Sequence, residues 1–259
     1  MSQSLLVLSD LDGCLLDHHT YSYAPAVPLL ERLRAASIPV VLCSSKTEAE
    51  MRPLAEEMEA SPTIICENGG VICWEKDGER TVLGVDRQQI LDVLTDCKSR
   101  FQFESFRDLG VEGIARVTGL PEDRAERAAS RHCTEPLLWH DDDSRIEGFR
   151  TALTSHGLQL TRGGRFWHVA GPTDKGKAAA VVIDRHRAER DDELISIGLG
   201  DSPIDESLLL ASDIAVVIPA FDGSVRLEFP HRRRIVAPQP GPDGWASSMS
   251  SLLDEYDIR

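Results

Sequence analysis

Asp10-Leu11-Asp12-Gly13 places two carboxylates two residues apart, directly after the apolar run Leu5-Leu6-Val7-Leu8-Ser9. At the C-terminal end of a strand that spacing points both side chains the same way. Gly13 lets the chain turn away with no side chain in its path. Two acidic groups this close repel unless a metal or a shared proton relieves them. The arrangement suits a divalent cation bound beside a carboxylate that serves as nucleophile or acid. Three further places carry matching chemistry. Ser44-Ser45-Lys46 follows an apolar run ending at Cys43, where a hydroxyl and free N–H groups entering a helix make a seat for phosphate. Thr173-Asp174-Lys175-Gly176-Lys177 opens a helical run. A cation in a first turn opposes the helix dipole, so an anionic site in front of Lys175 explains it, while Lys177 reads as a solvated side chain. Gly198-Leu199-Gly200-Asp201-Ser202-Pro203-Ile204-Asp205 adds two carboxylates four residues apart after a strand, a pattern that can complete a hard oxygen site for Mg²⁺. Alone, each tract has a plainer alternative, an Asp-Gly turn or a simple N-cap.

The elements that must position these residues alternate. Strand signals run over Leu5–Ser9, Ile38–Cys43 and Thr63–Cys66, with helices over Pro28–Ala36 and Thr47–Ala60 between them. The C-terminal part repeats the pattern: helix 174–190, strand 194–199, short helix 203–211, strands 214–218 and 234–237, and a closing helix 244–256. Runs that are apolar throughout and separated by helices predict a parallel sheet covered on both faces, an α/β core. Ligands of such sheets collect at the C-terminal edge of the strands, where all four tracts fall. The middle reads differently. Helical runs (87–100, 121–132, 144–156) mix with short strands (135–139, 158–161, 165–169), which predicts an inserted α+β domain. The expected division is a core of 1–80 and 170–259 and an insert of 81–169, with Gly69-Gly70 and Gly171-Pro172 as hinges.

Composition narrows the function. In 259 residues the chain carries a formal net charge of −15, which argues against nucleic acid, since a phosphate backbone needs a basic footprint. The cluster Arg232-Arg233-Arg234 reads as a solvated turn. No apolar run approaches a membrane span, and the start Met1-Ser2-Gln3-Ser4 lacks the features of a signal peptide, so a cytoplasmic protein without membrane partners is expected. Six cysteines show no CxxC pair, hence neither zinc spacing nor a disulfide framework. Asp141-Asp142-Asp143 reads as a helix N-cap rather than a metal cluster, and His18-His19 as solvated loop.

The order of the four tracts resembles the haloacid dehalogenase superfamily, whose motifs match Asp10-Leu11-Asp12-Gly13, Ser44, Lys175, and Gly200-Asp201 with Asp205. That resemblance implies a Rossmann-like parallel-sheet core with an inserted cap of the C2 type. More narrowly, Ser44-Ser45-Lys46-Thr47, Glu67-Asn68-Gly69-Gly70, Gly163-Gly164-Arg165-Phe166-Trp167-His168 and Asp174-Lys175-Gly176-Lys177 look like mannosyl-3-phosphoglycerate phosphatase, within the Cof-like group. It implies Mg²⁺-dependent hydrolysis of a phosphorylated sugar-glycerate to mannosylglycerate, a compatible solute, and phosphate. The chain departs from the pattern at Cys14, where threonine is usual, and at Ile204, where asparagine is common.

The resemblance implies Asp10 as nucleophile, Asp12 as acid/base, and Asp10, Asp12 (through its carbonyl), Asp201 and Asp205 around the metal. Ser44, Ser45 and Lys175 would hold the phosphoryl oxygens. Within the insert, Arg165 can grip a carboxylate through two parallel N–H bonds, Trp167 offers an apolar face to a sugar, and His168 a hydrogen bond. Alternation along a strand sets Arg165 and Trp167 on one face and Phe166 and His168 on the other. Backbone N–H groups of Asn68 and Gly69 are expected at the substrate. The alternatives are a glucosyl-3-phosphoglycerate or broader sugar-phosphate phosphatase, a phosphomannomutase-like transferase, and a non-catalytic receiver. Receivers lack an acid two residues after the acceptor and lack so large an insert. A homodimer stays open.

Overall fold

The computed structural model describes residues 3–75, 78–163 and 165–258. Met1 and Ser2 of the amino terminus and Gly164 of the Gly163–His168 stretch lie outside the described residues. Twelve strands and nine α-helices occur among those described. The core follows β1 (Gln3–Ser9), α1 (Val27–Ala35), β2 (Val40–Cys43), α2 (Glu48–Glu57), β3 (Ile64–Cys66), β4 (Val71–Cys73) and β5 (Arg80–Val82). The insert holds α3 (Arg87–Cys97), β6 (Phe103–Ser105), α4 (Phe106–Thr118), α5 (Glu122–Ala129), β7 (Thr134–Trp139), α6 (Ile146–Thr154), β8 (Gln159–Arg162) and β9 (Trp167–Ala170). The chain returns through α7 (Lys175–Ala188), β10 (Glu193–Gly200), α8 (Glu206–Ala211), β11 (Ile214–Val217), β12 (Arg234–Val236) and α9 (Gly241–Glu255). No helix among the described residues is long and apolar enough to cross a membrane.

The core is an eight-stranded sheet in the order β12-β11-β10-β1-β2-β3-β4-β5. It is parallel from β12 to β3, and β4 and β5 add an antiparallel edge. Its central strand explains why Leu5–Ser9 is apolar throughout. Leu5 and Val7 pack with α1, α2 and α9, while Leu6 and Leu8 pack with α7 and α8 on the opposite face. A strand buried on both faces needs no polar alternation.

The insert forms a four-stranded antiparallel sheet, β6-β7-β9-β8. Helices α3 and α6 cover one face through Ile90, Leu94, Phe149 and Leu153. Helices α4 and α5 make their own small cluster around Phe106, Ile114, Ala125 and Ala128. The core sheet itself runs to Val82, two residues past the expected boundary. The structure also corrects several expected elements. Three-residue strands β4, β5 and β6 carry too little pattern to be read and are held by their antiparallel neighbours. Helix α4 was hidden by Gly110 and Gly113, and the chain leaves helical geometry at Gly110. A capping box, Ser105 with Asp108, starts it. Strand β9 begins at Trp167, because the Gly163 N–H closes a turn on the Phe166 carbonyl. Arg165 is therefore in that turn and not on the strand.

One buried carboxylate joins insert to core. Glu67, fully buried, accepts from the His132 N–H (2.7 Å), the Cys133 N–H (3.1 Å) and the Thr134 hydroxyl (2.6 Å). Its own N–H donates to the Lys46 carbonyl. Glu67, Asn68 and Gly69 all have positive φ. A Cβ on Gly69 would lie 2.1 Å from the Asp174 carbonyl, so only glycine allows this turn to reach the start of α7. Replacing Glu67 by alanine removes the acceptor of three donors at once, two of them buried. The variant should lose about 3 kcal/mol in urea unfolding; a loss under about 1 kcal/mol would show that this contact does not anchor the insert.

Candidate active site

Lys175 sits at the first position of α7 and is buried, 2% exposed. Its Nζ donates to Asp10 Oδ1 at 2.5 Å and to Asp205 Oδ1 at 2.6 Å. Burial works against its charge, but Asp10 and Asp205 outweigh that and hold its pKa well above the ordinary lysine range. The anionic site expected in front of this cation is thus the carboxylate pair itself. Lys177 points to solvent, as its position suggested.

Asp10 follows the last residue of β1. Its N–H donates to the Leu199 carbonyl of β10. A relay from the other end of the chain fixes its main chain: Trp245 Nε1 of α9 donates to Ser9 Oγ (3.0 Å), which donates to the Asp10 carbonyl (2.7 Å). Nothing in the local sequence announces Trp245 as a support. Asp10, Asp201 and Asp205 each bring an oxygen within 4.8 Å of the others. Burial first, then the charge of Asp205, raise the Asp10 carboxyl well above the usual range, with Lys175 opposing. Asp201 is pushed up to about 7, by burial and then by Asp205.

These carboxylates fit a divalent cation. Asp201 Oδ1 and Asp12 Oδ1 are buried and have no hydrogen-bond partner among the described residues, and the site holds more negative charge than Lys175 balances. A Mg²⁺ ion supplies the missing charge with hard oxygen ligands. The donors are not equal, however. Asp205 Oδ1 is taken by Lys175, and its Oδ2 accepts from Ser202 Oγ (2.9 Å) and from the Ser202 N–H (3.1 Å). Asp205 is built to hold Lys175 and the Asp201 loop in place. The Asp12 side chain stands outside the three-carboxylate group and pairs with the Lys46 ammonium. Lys46 lies within reach of the Tyr21 ring, 5.7 Å from its centre. Gly13 matters for a spatial reason: with φ +85°, its missing Cβ would lie 2.8 Å from Asp201 Oδ2.

Ser44 is buried after β2, and its Oγ accepts from the Lys46 N–H at 3.3 Å. Thr47 then caps α2 with a full capping box. The Asn68 N–H, expected at a substrate, is already donated to the Ser44 carbonyl (2.9 Å), while Asn68 Oδ1 is buried without a partner among the described residues. Gly69 is joined to α7 by Thr173, whose hydroxyl donates to its carbonyl (3.0 Å). A cavity of about 430 Å³ opens beside Asp201, lined by Gly13, His18, Phe221 and Arg226 among others.

The insert residues divide. Arg165 is exposed and donates to the Val117 carbonyl at the end of α4; its contacts among the described residues do not reach the core. Trp167 packs with the α3–α6 side, and Arg162 stacks on its ring at 4.8 Å. Phe166 meets Phe106 edge-on, 5.0 Å between centres. His168 lies near Arg131, with Nδ1 buried and unpartnered among the described residues. Arg131 donates to the Ser45 carbonyl at 3.3 Å. That contact joins residues 86 apart, and no motif pointed to it.

The expected bland readings hold where they can be seen. Asp142 caps the turn before α6 through the Ser144 N–H, Asp141 accepts from Arg145, and all six cysteines are free and buried. Cys14 puts a thiol 3.9 Å from Ser9 Oγ. In place of a solvated turn, Arg233 and Arg234 are tied down, the first to Glu255 and the second to the Leu227 carbonyl.

The family profile of the haloacid dehalogenase-like hydrolases matches residues 7–129. Solved structures share the fold across the chain. A phosphatase of the haloalkanoate (HAD) enzyme superfamily from Bacteroides thetaiotaomicron is 18% identical, with TM-score 0.68, covering 100% of this chain and 96% of the other. A haloacid dehalogenase-like hydrolase from B. subtilis is 18% identical, with TM-score 0.66, covering 96% and 99%. A sugar phosphatase of HAD subclass IIB is 13% identical, with TM-score 0.68, covering 99% and 100%.

The raised carboxylates set a pH dependence. Asp201 keeps its proton to about pH 7 when folded but releases it near pH 4 when unfolded. The folded state then binds more protons, so stability falls as pH rises through the folded pKa. Below about pH 6.5 the neutral His168 works in the opposite sense. In EDTA, the urea midpoint should fall between about pH 4 and 7.5 relative to that of Asp201→Asn, a comparison in which the His168 effect cancels. An equal fall in the variant would assign it elsewhere.

Proposed function

We propose that this chain, whose residues 7–129 match the profile of the haloacid dehalogenase-like hydrolases, is a Mg²⁺-dependent phosphatase that hydrolyses mannosyl-3-phosphoglycerate to mannosylglycerate and phosphate. The observation that carries the reaction class is the Asp10–Lys175–Asp205 contact at the edge of the sheet, with Asp201 beside it and Asp12 next along the chain. The substrate rests on the motif resemblance around Ser44–Thr47, Glu67–Gly70 and Arg165–His168.

Asp10 Oδ attacks phosphorus in line with the departing oxygen. A P–O bond to Asp10 forms while the bond to the glycerate oxygen breaks, leaving an aspartyl phosphate. Asp12 gives its proton to the departing oxygen. It then takes one from the water that attacks the phosphoryl group, which frees phosphate and restores Asp10. Lys46 pairs with Asp12 and can hold this carboxyl in position. Lys175 places a positive charge next to Asp10, so an anion can approach a carboxylate. Ser44 and the N–H groups of its loop face the equatorial oxygens, where charge spreads in the transition state. Asp10 and Asp201, with the Asp12 carbonyl, would hold Mg²⁺. When bound it supplies positive charge that screens the phosphoryl oxygens.

Phosphate release from mannosyl-3-phosphoglycerate, glucosyl-3-phosphoglycerate and simple sugar phosphates tests the reading. Release should need Mg²⁺, stop in EDTA, and be fastest with the mannosyl compound. Faster release from hexose phosphates would assign a broader sugar phosphatase, and transfer to mannose phosphate without release a mutase. Asp10→Asn should abolish turnover, and Asp12→Asn should lower kcat by about 10²–10⁴. Wild-type turnover by Asp12→Asn would remove its acid/base role.

A further inference from the structure

We propose that Arg131 is a specificity-determining residue, which receives a carboxylate carried by the departing part of the substrate. This rests on the phosphatase reading above and names which side chain reads the leaving group.

Arg131 lies just after α5, where the insert meets the core. Its Nη1 donates to Thr134 Oγ1 at 2.7 Å and to the Ser45 carbonyl at 3.3 Å. The guanidinium lies over the Phe106 ring, 5.7 Å from its centre. It is thus a rigidly held cation beside the Ser44–Lys46 loop. Yet it lacks an acid. No carboxylate lies within ion-pair distance of it among the described residues, and its Nε is buried without a hydrogen-bond partner among them. Glu67 stands behind Thr134, but its two oxygens already serve the His132 and Cys133 N–H groups and the Thr134 hydroxyl.

His168 sharpens the point. Its Nδ1 is also buried and unpartnered among the described residues. Burial first, and then the charge of Arg131, lower its pKa to about 3, so the ring is neutral. It can donate a hydrogen bond but cannot neutralise or repel an anion. A partly buried guanidinium with no acid opposite it among the described residues, beside a neutral ring with a free nitrogen, is chemistry that suits a carboxylate. A planar carboxylate suits the guanidinium fork better than it suits an ammonium. Because Ser45 is the neighbour of Ser44, Arg131 lies beside the loop proposed to seat the phosphate, where the departing part of the substrate would be within its reach.

The test uses two phosphate monoesters that differ in one carboxylate, 3-phosphoglycerate and glycerol 3-phosphate. Their binding to the full-length Asp10→Asn protein, which cannot turn over, is measured by calorimetry with Mg²⁺. The Asp10→Asn protein should bind 3-phosphoglycerate more tightly. Adding Arg131→Gln should reduce that preference about 100-fold, and Arg131→Lys about tenfold. If Arg131→Gln does not fold, the lysine variant decides. Equal binding of the two monoesters before any change at Arg131, an unchanged preference in the variants, or an equal loss for both monoesters would each overturn the proposal. Wild-type turnover of p-nitrophenyl phosphate, measured separately, tests the phosphatase reading: its absence would remove that reading, while the binding preference still decides the role of Arg131.

Discussion

Burying a lysine is costly unless its charge is met. Here Lys175 is met twice, by Asp10 from the end of β1 and Asp205 from the turn before α8. Those contacts bind segments 165 and 30 residues away into one charged unit. They require β1 and β10 to be neighbours in a set register, with Ser9 beside Leu199. They also require α7 to begin at the sheet edge. Burial, and then the charge of Asp205, raise Asp10 and Asp201, and the unit carries more acids than Lys175 balances. Much of the fold can be seen as what keeps these groups at this spacing.

The insert is held to this edge by polar contacts rather than by a large apolar face. Glu67 takes three donors from the strand entry at 132–134, Thr47 Oγ1 donates to the Arg127 carbonyl, and Arg131 reaches Ser45. Directional bonds define one docked position, and they can break and re-form with modest loss. The core side of these three contacts lies between Ser45 and Glu67, so the loop proposed to seat phosphate is also one place where the insert rests. A substrate seated there would touch both bodies.

The site was legible where chemistry and strand ends coincide. Asp10, Asp12, Ser44, Lys175, Asp201 and Asp205 were readable because a parallel sheet brings the C-terminal ends of its strands together, and each tract followed an apolar run. Within the insert, legibility failed for definite reasons. Helix α4 is interrupted by glycines, and β6 has three residues. Arg165 is in a turn closed by a Gly163–Phe166 bond, which alternation along a strand could not foresee. Nothing in the neighbouring residues tells what Arg131 and Glu67 bond, since their partners lie 65 to 86 residues away.

The amino-acid sequence by itself determined the α/β core, the insert and the four polar tracts that meet at one sheet edge. These depend on local apolar pattern, turn residues and short-range spacing, which a linear chain carries directly. Only the tertiary structure decided how the carboxylates divide. Asp10 shares Lys175 with Asp205, Asp201 Oδ1 is left without a hydrogen-bond partner among the described residues, Asp205 gives both of its oxygens to support, and Asp12 turns to Lys46. It also decided that Arg131 meets the Ser44–Lys46 loop while Arg165 stays within the insert. A carboxylate's role depends on which donors reach its two oxygens, and those donors arrive from distant segments whose register is set only when the sheet closes.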